Sequence, residues 1–348
     1  MSAVLKQPDA SRQAYYGQIA KYHMTPLWES LHLLVPRAPT PKMVPAIWRY
    51  AQLRDLLMES GKVISAAEAI RRVLILENPG LPGSSSITSN LYAGLQLILP
   101  GEIAPSHRHT QLALRFIVEG KSAWTAVDGE RIPMSPGDYI ITPTWTWHDH
   151  GNAADGEPVV WLDGLDAPLI AQLDAGFCED YPEAEQPVHH TDGYSIVRHG
   201  YNMAPVRHKA KNANSPILKY PYERSREALE RLHRMGDLDA WDGVKLRYIN
   251  PATGGYPMAA IAPFLQLLPK GFKGKPYRTT ESTVFCVVEG RGSVKVGSKS
   301  FDYEPHDVFC APSWEPVTLE SPHEDVVLFS FSNLPLLDTL GLWREERK

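Results

Sequence analysis

An internal repeat limits the possible folds of this chain more than any other feature. Gly101, five residues, His107-Arg108-His109 and then Glu119-Gly120 are matched by Gly271, five residues, Tyr277-Arg278-Thr279 and Glu289-Gly290. Further on, Gly137, five residues, Pro143-Thr144-Trp145 is matched by His306, five residues, Pro312-Ser313-Trp314. A spacing shared over this length means two copies of one supersecondary unit. In the first copy, short β-rich runs at 91–99, 113–119, 122–127, 139–142 and 159–163 alternate with proline and glycine turns, and similar runs return from about 245 to 333. Short strands punctuated in this way indicate an all-β sandwich or barrel.

The expected layout is therefore an N-terminal helical region over 1–87, a first barrel over 88–166, a linker with a short helix over 167–244, a second barrel over 245–333 and a tail over 334–348. Within the N-terminal region, Pro45 and the run Ala46-Ile47-Trp48-Arg49-Tyr50 read as a helix start, with proline in the first turn. Leu53, Leu56 and Leu57 continue it at helical spacing, and Gly61 reads as its stop. Ser65 and Glu68 have the spacing of a capping box. Val73-Leu74-Ile75-Leu76 reads as a strand, and 225–235 as a helix ending at Gly236.

Composition excludes several classes. The net charge of -5 argues against a nucleic-acid binder, which needs a basic face. Cys178, Cys286 and Cys310 are too few and too scattered for a disulfide framework or a thiolate zinc site, which suits a reducing, cytoplasmic compartment. No run is apolar and long enough for a signal peptide or a membrane span, so neither is expected.

The chemistry gathers in the first copy. His107 and His109 are two apart and leave one face of a strand together, while His148 lies beyond the turn at Pro143, where a closed sheet can bring it back. Three neutral imidazoles suit Fe, Cu, Ni or Zn with positions left open. The second copy has Tyr277, Thr279, Thr283 and Val317 at the corresponding places, so one metal per chain is expected, and the second barrel reads as scaffold or subunit contact. His189, His190, His199 and His208 lie in irregular segments and read as structural or surface residues.

The segment from Gly101 resembles the first cupin motif, G-x5-H-x-H-x3-E-x6-G, with Ala113 in place of the glutamate. The segment from Gly137 resembles the second, G-x5-P-x-G-x2-H-x3-N, through Pro143, His148 and Asn152, with Trp145 in place of the last glycine. This resemblance implies double-sheet jelly-roll barrels with the metal inside the first. Without the glutamate all protein ligands are neutral, so the site favours a dianionic chelator such as an ortho-hydroxybenzoate. If the strand continues unbroken past His109, then Gln111, Ala113 and Arg115 face the same interior. Arg115 there suits a substrate carboxylate, or else a structural ion pair with Glu119 or a neighbour. Tyr92 and Gln96 share a strand face. His150 has the parity of His148 and a pKa range useful for accepting a proton. Asp163, inside the apolar run from Val159, needs a partner to be tolerated and reads as an orienting group.

A narrower resemblance covers most of the chain. Leu91-Tyr92-Ala93-Gly94-Leu95-Gln96, the stretch from Pro100 to Gln111, Thr146-Trp147-His148-Asp149-His150-Gly151-Asn152, Trp161-Leu162-Asp163-Gly164-Leu165-Asp166 and Arg71-Arg72-Val73 resemble the gentisate 1,2-dioxygenases. The resemblance implies a bicupin homotetramer that uses Fe(II) and both atoms of O2 to open gentisate to maleylpyruvate. On it, His107, His109 and His148 are the iron ligands. Arg71, Tyr92, Gln96, Arg115, His150 and Asp163 match positions tied to substrate or oxygen activation. Salicylate and 1-hydroxy-2-naphthoate dioxygenases share that fold and site, and Tyr92 favours gentisate because salicylate-type relatives tend to carry tryptophan there. A ligand-sensing cupin without activity and a Zn or Mn sugar isomerase are the rival classes. The three-histidine set argues against the first, and Ala113 against the second.

Overall fold

The computed structural model describes residues 9–207 and 213–347, which leaves His208 outside the described residues. Two compact units result, Met1–Thr40 and Pro41–Lys348. In the first, Asp9 caps the helix Ala10–Ala20 by accepting from the Arg12 N–H, and a second helix spans Leu27–Leu34. Tyr16 joins the two helices, donating to Glu29 and accepting from the Trp28 indole. Neither helix buries a single side chain.

The larger unit is mainly β and contains two jelly rolls, each built from two antiparallel sheets. In the first, one sheet runs in the order Lys219–Tyr220, Tyr139–Thr142, Ala113–Glu119, Val159–Leu165, Tyr92–Ile98, Val73–Ile75. Its other sheet runs Cys178–Asp180, Ile103–His109, His148–Asn152, Ala123–Val127, Glu130–Pro133. The second copy repeats this order, with Ala46–Trp48, Val308–Ala311, Thr283–Glu289, Val326–Ser332, Ala262–Leu268 and Val244–Arg247 in one sheet. In its other sheet Glu345–Arg347 pairs with Tyr277–Thr279 just as Cys178–Asp180 pairs with Ile103–His109.

Three expectations need correction. Ala46–Trp48 is a strand, not a helix start: it pairs with Val308–Ala311, and the helix begins only at Tyr50. Ladder bonds to the second barrel outweigh the helical start signal of Pro45. Gly61 does not stop the helix, which runs Tyr50–Val63. A Cβ there would lie 2.7 Å from Leu99 Cδ1, so glycine permits close packing on the barrel. The tail and linker are not wholly irregular either, because Glu345–Arg347, Cys178–Asp180 and Lys219–Tyr220 all join sheets. Ser65 does cap the short helix Ala66–Ala69 through the Glu68 N–H, and 222–234 is helical.

The repeat extends to unusual backbone. Trp145, at the motif position where glycine is usual, has φ 58°, and Trp314 in the second copy has φ 66°. Positive φ explains the usual glycine. Each tryptophan is compensated alike: its N–H donates to a backbone carbonyl, of His109 or Thr279, and an arginine, Arg108 or Arg278, covers its ring.

The barrels share one core. Phe116 of the first stacks on Phe329 of the second at 4.1 Å between ring centroids, within a buried cluster that also takes in Leu114, Tyr139, Val284 and Phe331.

Candidate metal centre

His107 lies in the strand Ile103–His109 and His148 opens the strand His148–Asn152; the two strands pair, and the two histidines are cross-strand neighbours. This places His107, His109 and His148 so that one ring nitrogen from each lies within 4.8 Å of the others. Ring centroids are 4.5 Å apart for His107 and His148, and 4.8 Å for His109 and His148. His109 Nδ1 is 2.9 Å from the Gln111 carbonyl and His148 Nδ1 is 3.1 Å from the Thr146 carbonyl, which fixes Nδ1 as the protonated nitrogen. His107 is likewise bonded to the backbone at Pro105. Nε2 is then the free donor, and His148 Nε2 is buried without any hydrogen-bond partner. Burial, chiefly, pushes the His107 imidazole down to about 2 and His109 to about 4, and His148 is also lowered. All three are therefore neutral and able to ligate, and the donor set fits a metal.

Two arginines face this cluster. Arg115 is 3% exposed, donates from Nη1 to Thr142 Oγ1 at 2.5 Å and lies with Nε 3.8 Å from Asp163 Oδ1. Arg71 donates from Nη1 to the carbonyls of Ile70 and Pro105, and its Nη2 lies 3.5 Å from the His148 carbonyl. Loss of water and the nearby Arg115 charge lower Arg71 to about 9, still protonated at neutral pH. Burial raises Asp163 to about 6 despite Arg115 and the Trp161 indole N–H, which donates to it at 3.0 Å. Two cations thus stand beside three neutral imidazoles, with Asp163 across from Arg115 and Asp149 also near Arg71. The planar forks of the two arginines suit an anion.

A cupin-domain profile matches residues 94–164. The chain is 49% identical to gentisate 1,2 dioxygenase 1 of Aquipseudomonas alcaligenes over 97% of its own length and 96% of the relative's. The chain belongs to the gentisate 1,2-dioxygenase family. It is 36% identical to the 1-hydroxy-2-naphthoate 1,2-dioxygenase of Nocardioides sp. (strain KP7), covering 97% of this chain and 88% of that one. It superposes on salicylate 1,2-dioxygenase from Pseudoaminobacter salicylatoxidans, solved with gentisate, with a TM-score of 0.93 and 33% identity, covering 100% and 97% of the two chains. As a member of this family the protein is a ring-cleaving dioxygenase with the bicupin fold.

Within this gentisate 1,2-dioxygenase fold, the residues expected at the site are placed unevenly by simple periodicity. The strand bearing His107 and His109 ends at His109 and the next starts at Ala113, so parity does not carry through to Arg115. Arg115 reaches the site because its own strand pairs with Asp163's. Gln111 falls in the break and contributes its carbonyl to His109. The structural alternative, an ion pair of Arg115 with Glu119 or a neighbour, is met in part: Glu119 binds Arg54, and Arg115 lies 3.8 Å from Asp163. His150 is fully buried, with both ring nitrogens unpartnered and its ring 5.9 Å from that of His148. Gln96 is buried opposite Trp161, and Tyr92 lies at the other end of the same strand opposite Leu165. The Tyr92 hydroxyl folds back over Gly94, where an added Cβ would meet it at 2.8 Å.

Sequence reasoning missed Trp161 and Thr142. Trp161 donates to Asp163 and sets its ring 5.3 Å from His150. Its signal was available, since it lies two residues before Asp163 on the same strand face. Thr142 carried no signal: only the cross-strand register of 113–119 with 139–142 puts it beside Arg115.

In the second barrel Tyr277 and Val317 pair across strands as His107 and His148 do in the first. Lys245 lies near Tyr277, whose phenol burial keeps neutral, and near Glu281, and it is bound to Asp242 at 3.3 Å. Among the described residues, the group of ligating side chains close enough for a metal is the three histidines of the first barrel.

Proposed function

We propose that the protein opens gentisate with O2 to maleylpyruvate, in an extradiol-type reaction, using Fe(II) held by His107, His109 and His148. The observation that carries this reading is the convergence of Arg71 and Arg115 on the three-histidine cluster. An aromatic acid offers that pair a carboxylate, and guanidinium forks suit it. When bound, Fe(II) supplies the redox chemistry that allows a closed-shell aromatic ring and ground-state dioxygen to combine. The chain's own residues do the rest. Arg71 and Arg115 take the carboxylate and fix the ring's orientation, and Asp163 holds Arg115 in place. His150, kept neutral mainly by burial, accepts the proton of a ring hydroxyl. Gln96 and Tyr92 line the substrate side, where the Tyr92 hydroxyl gives the second hydroxyl of gentisate a partner that salicylate would not use.

We further read the protein as a cytoplasmic homotetramer, with the second barrel as scaffold. Leu27, Trp28, Leu31 and Leu34, all about half-exposed or more on one short helix, give the first unit an apolar face suited to another copy of the chain. Anaerobic loading with Fe(II), followed by oxygen uptake on gentisate, salicylate and 1-hydroxy-2-naphthoate, tests the assignment. Fastest uptake on gentisate is expected. Uptake on 1-hydroxy-2-naphthoate alone would replace gentisate as the substrate.

A further inference from the structure

Arg71 leaves the short helix Ala66–Ala69 through a turn of an unusual kind. Ile70 has φ 59° and ψ -51°, and the Arg71 N–H donates to the Ala69 carbonyl at 2.5 Å, closing a three-residue γ-turn. With positive φ at its centre this is the rare, strained form of the γ-turn. Nine non-glycine residues have positive φ among the described residues, and Ile70 is the β-branched one among them. A branched Cβ makes that conformation a true outlier. Nothing about the isoleucine side chain compensates, because it is 49% exposed.

The strain is held from both sides. Before the turn, Ser65 caps the helix, and after it Arg72 forms a forked ion pair with Glu102, at 2.7 and 2.5 Å, and donates to the Ile64 carbonyl. Strain that survives because its surroundings over-determine it is found mainly at functional positions. Its effect here is visible. The turn points the Ile70 carbonyl at Arg71 Nη1, from which it accepts at 2.8 Å, while the same nitrogen donates to the carbonyl of Pro105, two residues before His107 on its strand. Both hydrogens of Nη1 are thereby used on backbone. Nε and most of Nη2, which lies 3.5 Å from the His148 carbonyl, are left for an anion. An ordinary helical or extended conformation at Ile70 would turn that carbonyl away and carry the guanidinium off the cluster.

We propose that Ile70 is a positioning residue for carboxylate recognition: its strained turn aims Arg71 at the anion of an aromatic acid bound at the three-histidine site. This rests on the reading of Arg71 as a substrate-binding residue. The conformation matters and the isoleucine side chain does not, which gives two substitutions opposite expected effects. Ile70→Gly keeps positive φ available at no steric cost. Ile70→Pro locks φ near -65° and forbids the turn.

The test measures gentisate binding anaerobically by calorimetry on the Fe(II)-loaded protein, together with iron content and melting temperature. Arg71→Met is expected to weaken gentisate on the order of thirtyfold or more, as truncating one side of a buried charge pair does. Ile70→Pro should weaken it comparably with iron near one per chain, and adding Arg71→Met to Ile70→Pro should cost little more. Ile70→Gly should melt higher and bind gentisate as tightly as the parent or more so. If Arg71→Met leaves affinity unchanged, the reading of Arg71 fails and takes this proposal with it. If Arg71→Met weakens binding but a folded Ile70→Pro does not, the proposal alone fails. Should Ile70→Pro not fold, Ile70→Gly decides: tenfold weaker binding in that variant overturns the proposal.

Discussion

Asp163 faces Arg115 directly across an antiparallel strand pair, with Oδ1 3.8 Å from the guanidinium Nε. The same oxygen accepts the Trp161 indole N–H at 3.0 Å. Arg115 Nη1 is taken by Thr142, so the fork is held at two points, close enough to the histidine cluster for its charge to lower His148 further. A buried cation costs several kcal/mol to desolvate unless it is paired, and the 3.8 Å contact is too long for a full hydrogen bond. Arg115 is oriented but not saturated.

Arg115→Met should therefore weaken anaerobic gentisate binding on the order of thirtyfold or more, while iron stays near one per chain. Arg115→Lys should recover only part, since an ammonium cannot reproduce the fork. Calorimetry under nitrogen keeps turnover from masking affinity. A stable, iron-loaded Arg115→Met variant with parental affinity would end the substrate-anchor role.

Asp163 brings a pH dependence. Burial lifts its carboxyl to about 6, so it is ionised and able to hold Arg115 above that pH and protonated below it. Activity that depends on the pair is present above pH 6 and lost as pH falls through it. The kcat/KM profile should show an acid limb near pH 6, falling about tenfold per unit below it. Asp163→Asn should lower the plateau and abolish this limb. A limb that persists unchanged in Asp163→Asn belongs to another group.

His148 and His150 sit on one strand with their rings 5.9 Å apart, yet the proposed roles differ. His148→Ala removes one of three ligands and should leave the purified protein without iron. His150→Ala should keep near one iron per chain and lower kcat about 10²- to 10⁴-fold, the usual contribution of a positioned proton acceptor. Metal analysis separates the two. Equal iron loss in both variants would place His150 among the ligands.

The histidine set was legible because its two halves carry motif spacing, two residues apart on one strand and a turn of fixed spacing before His148, although the pairing that joins them is non-local. The repeat was legible from its spacing as two copies of one β unit, and the two copies share one strand order. Non-local pairing hid what remained. Ala46–Trp48 carries a helix start signal, but its fate is set by Val308–Ala311, far along the chain. Arg115 was placed at the site by a parity argument that fails at the break after His109, and it arrives there through its register with Asp163. Thr142 and the γ-turn at Ile70 left no periodic trace. Nothing in the composition of Ala69-Ile70-Arg71 asks for positive φ, and it arises from anchors on both sides.

The pairing of barrels gives a prediction about stability. Phe116 and Phe329 are stacked nearly parallel, 4.1 Å apart, and both are almost wholly buried. Tyr139 of the first barrel and Tyr248 also lean on Phe329, at 5.8 and 6.4 Å. Truncating such a side chain removes its transfer energy and leaves a cavity that rigid sheets cannot close, a cost of about 3–5 kcal/mol. For a unit of this size that corresponds to a melting temperature lower by roughly 5–10 °C. Phe329→Leu should lose less, because most of the volume stays. The aromatic cluster belongs to both barrels, so the loss cannot be confined to the one that carries the mutation. Iron release from the first barrel and the main unfolding transition should therefore shift together in Phe329→Ala, although Phe329 lies in the barrel without the histidines. Calorimetry run beside a colorimetric iron assay reads both. An unchanged iron-release temperature alongside an earlier partial transition would mean that the barrels unfold independently and that the shared core does not couple them.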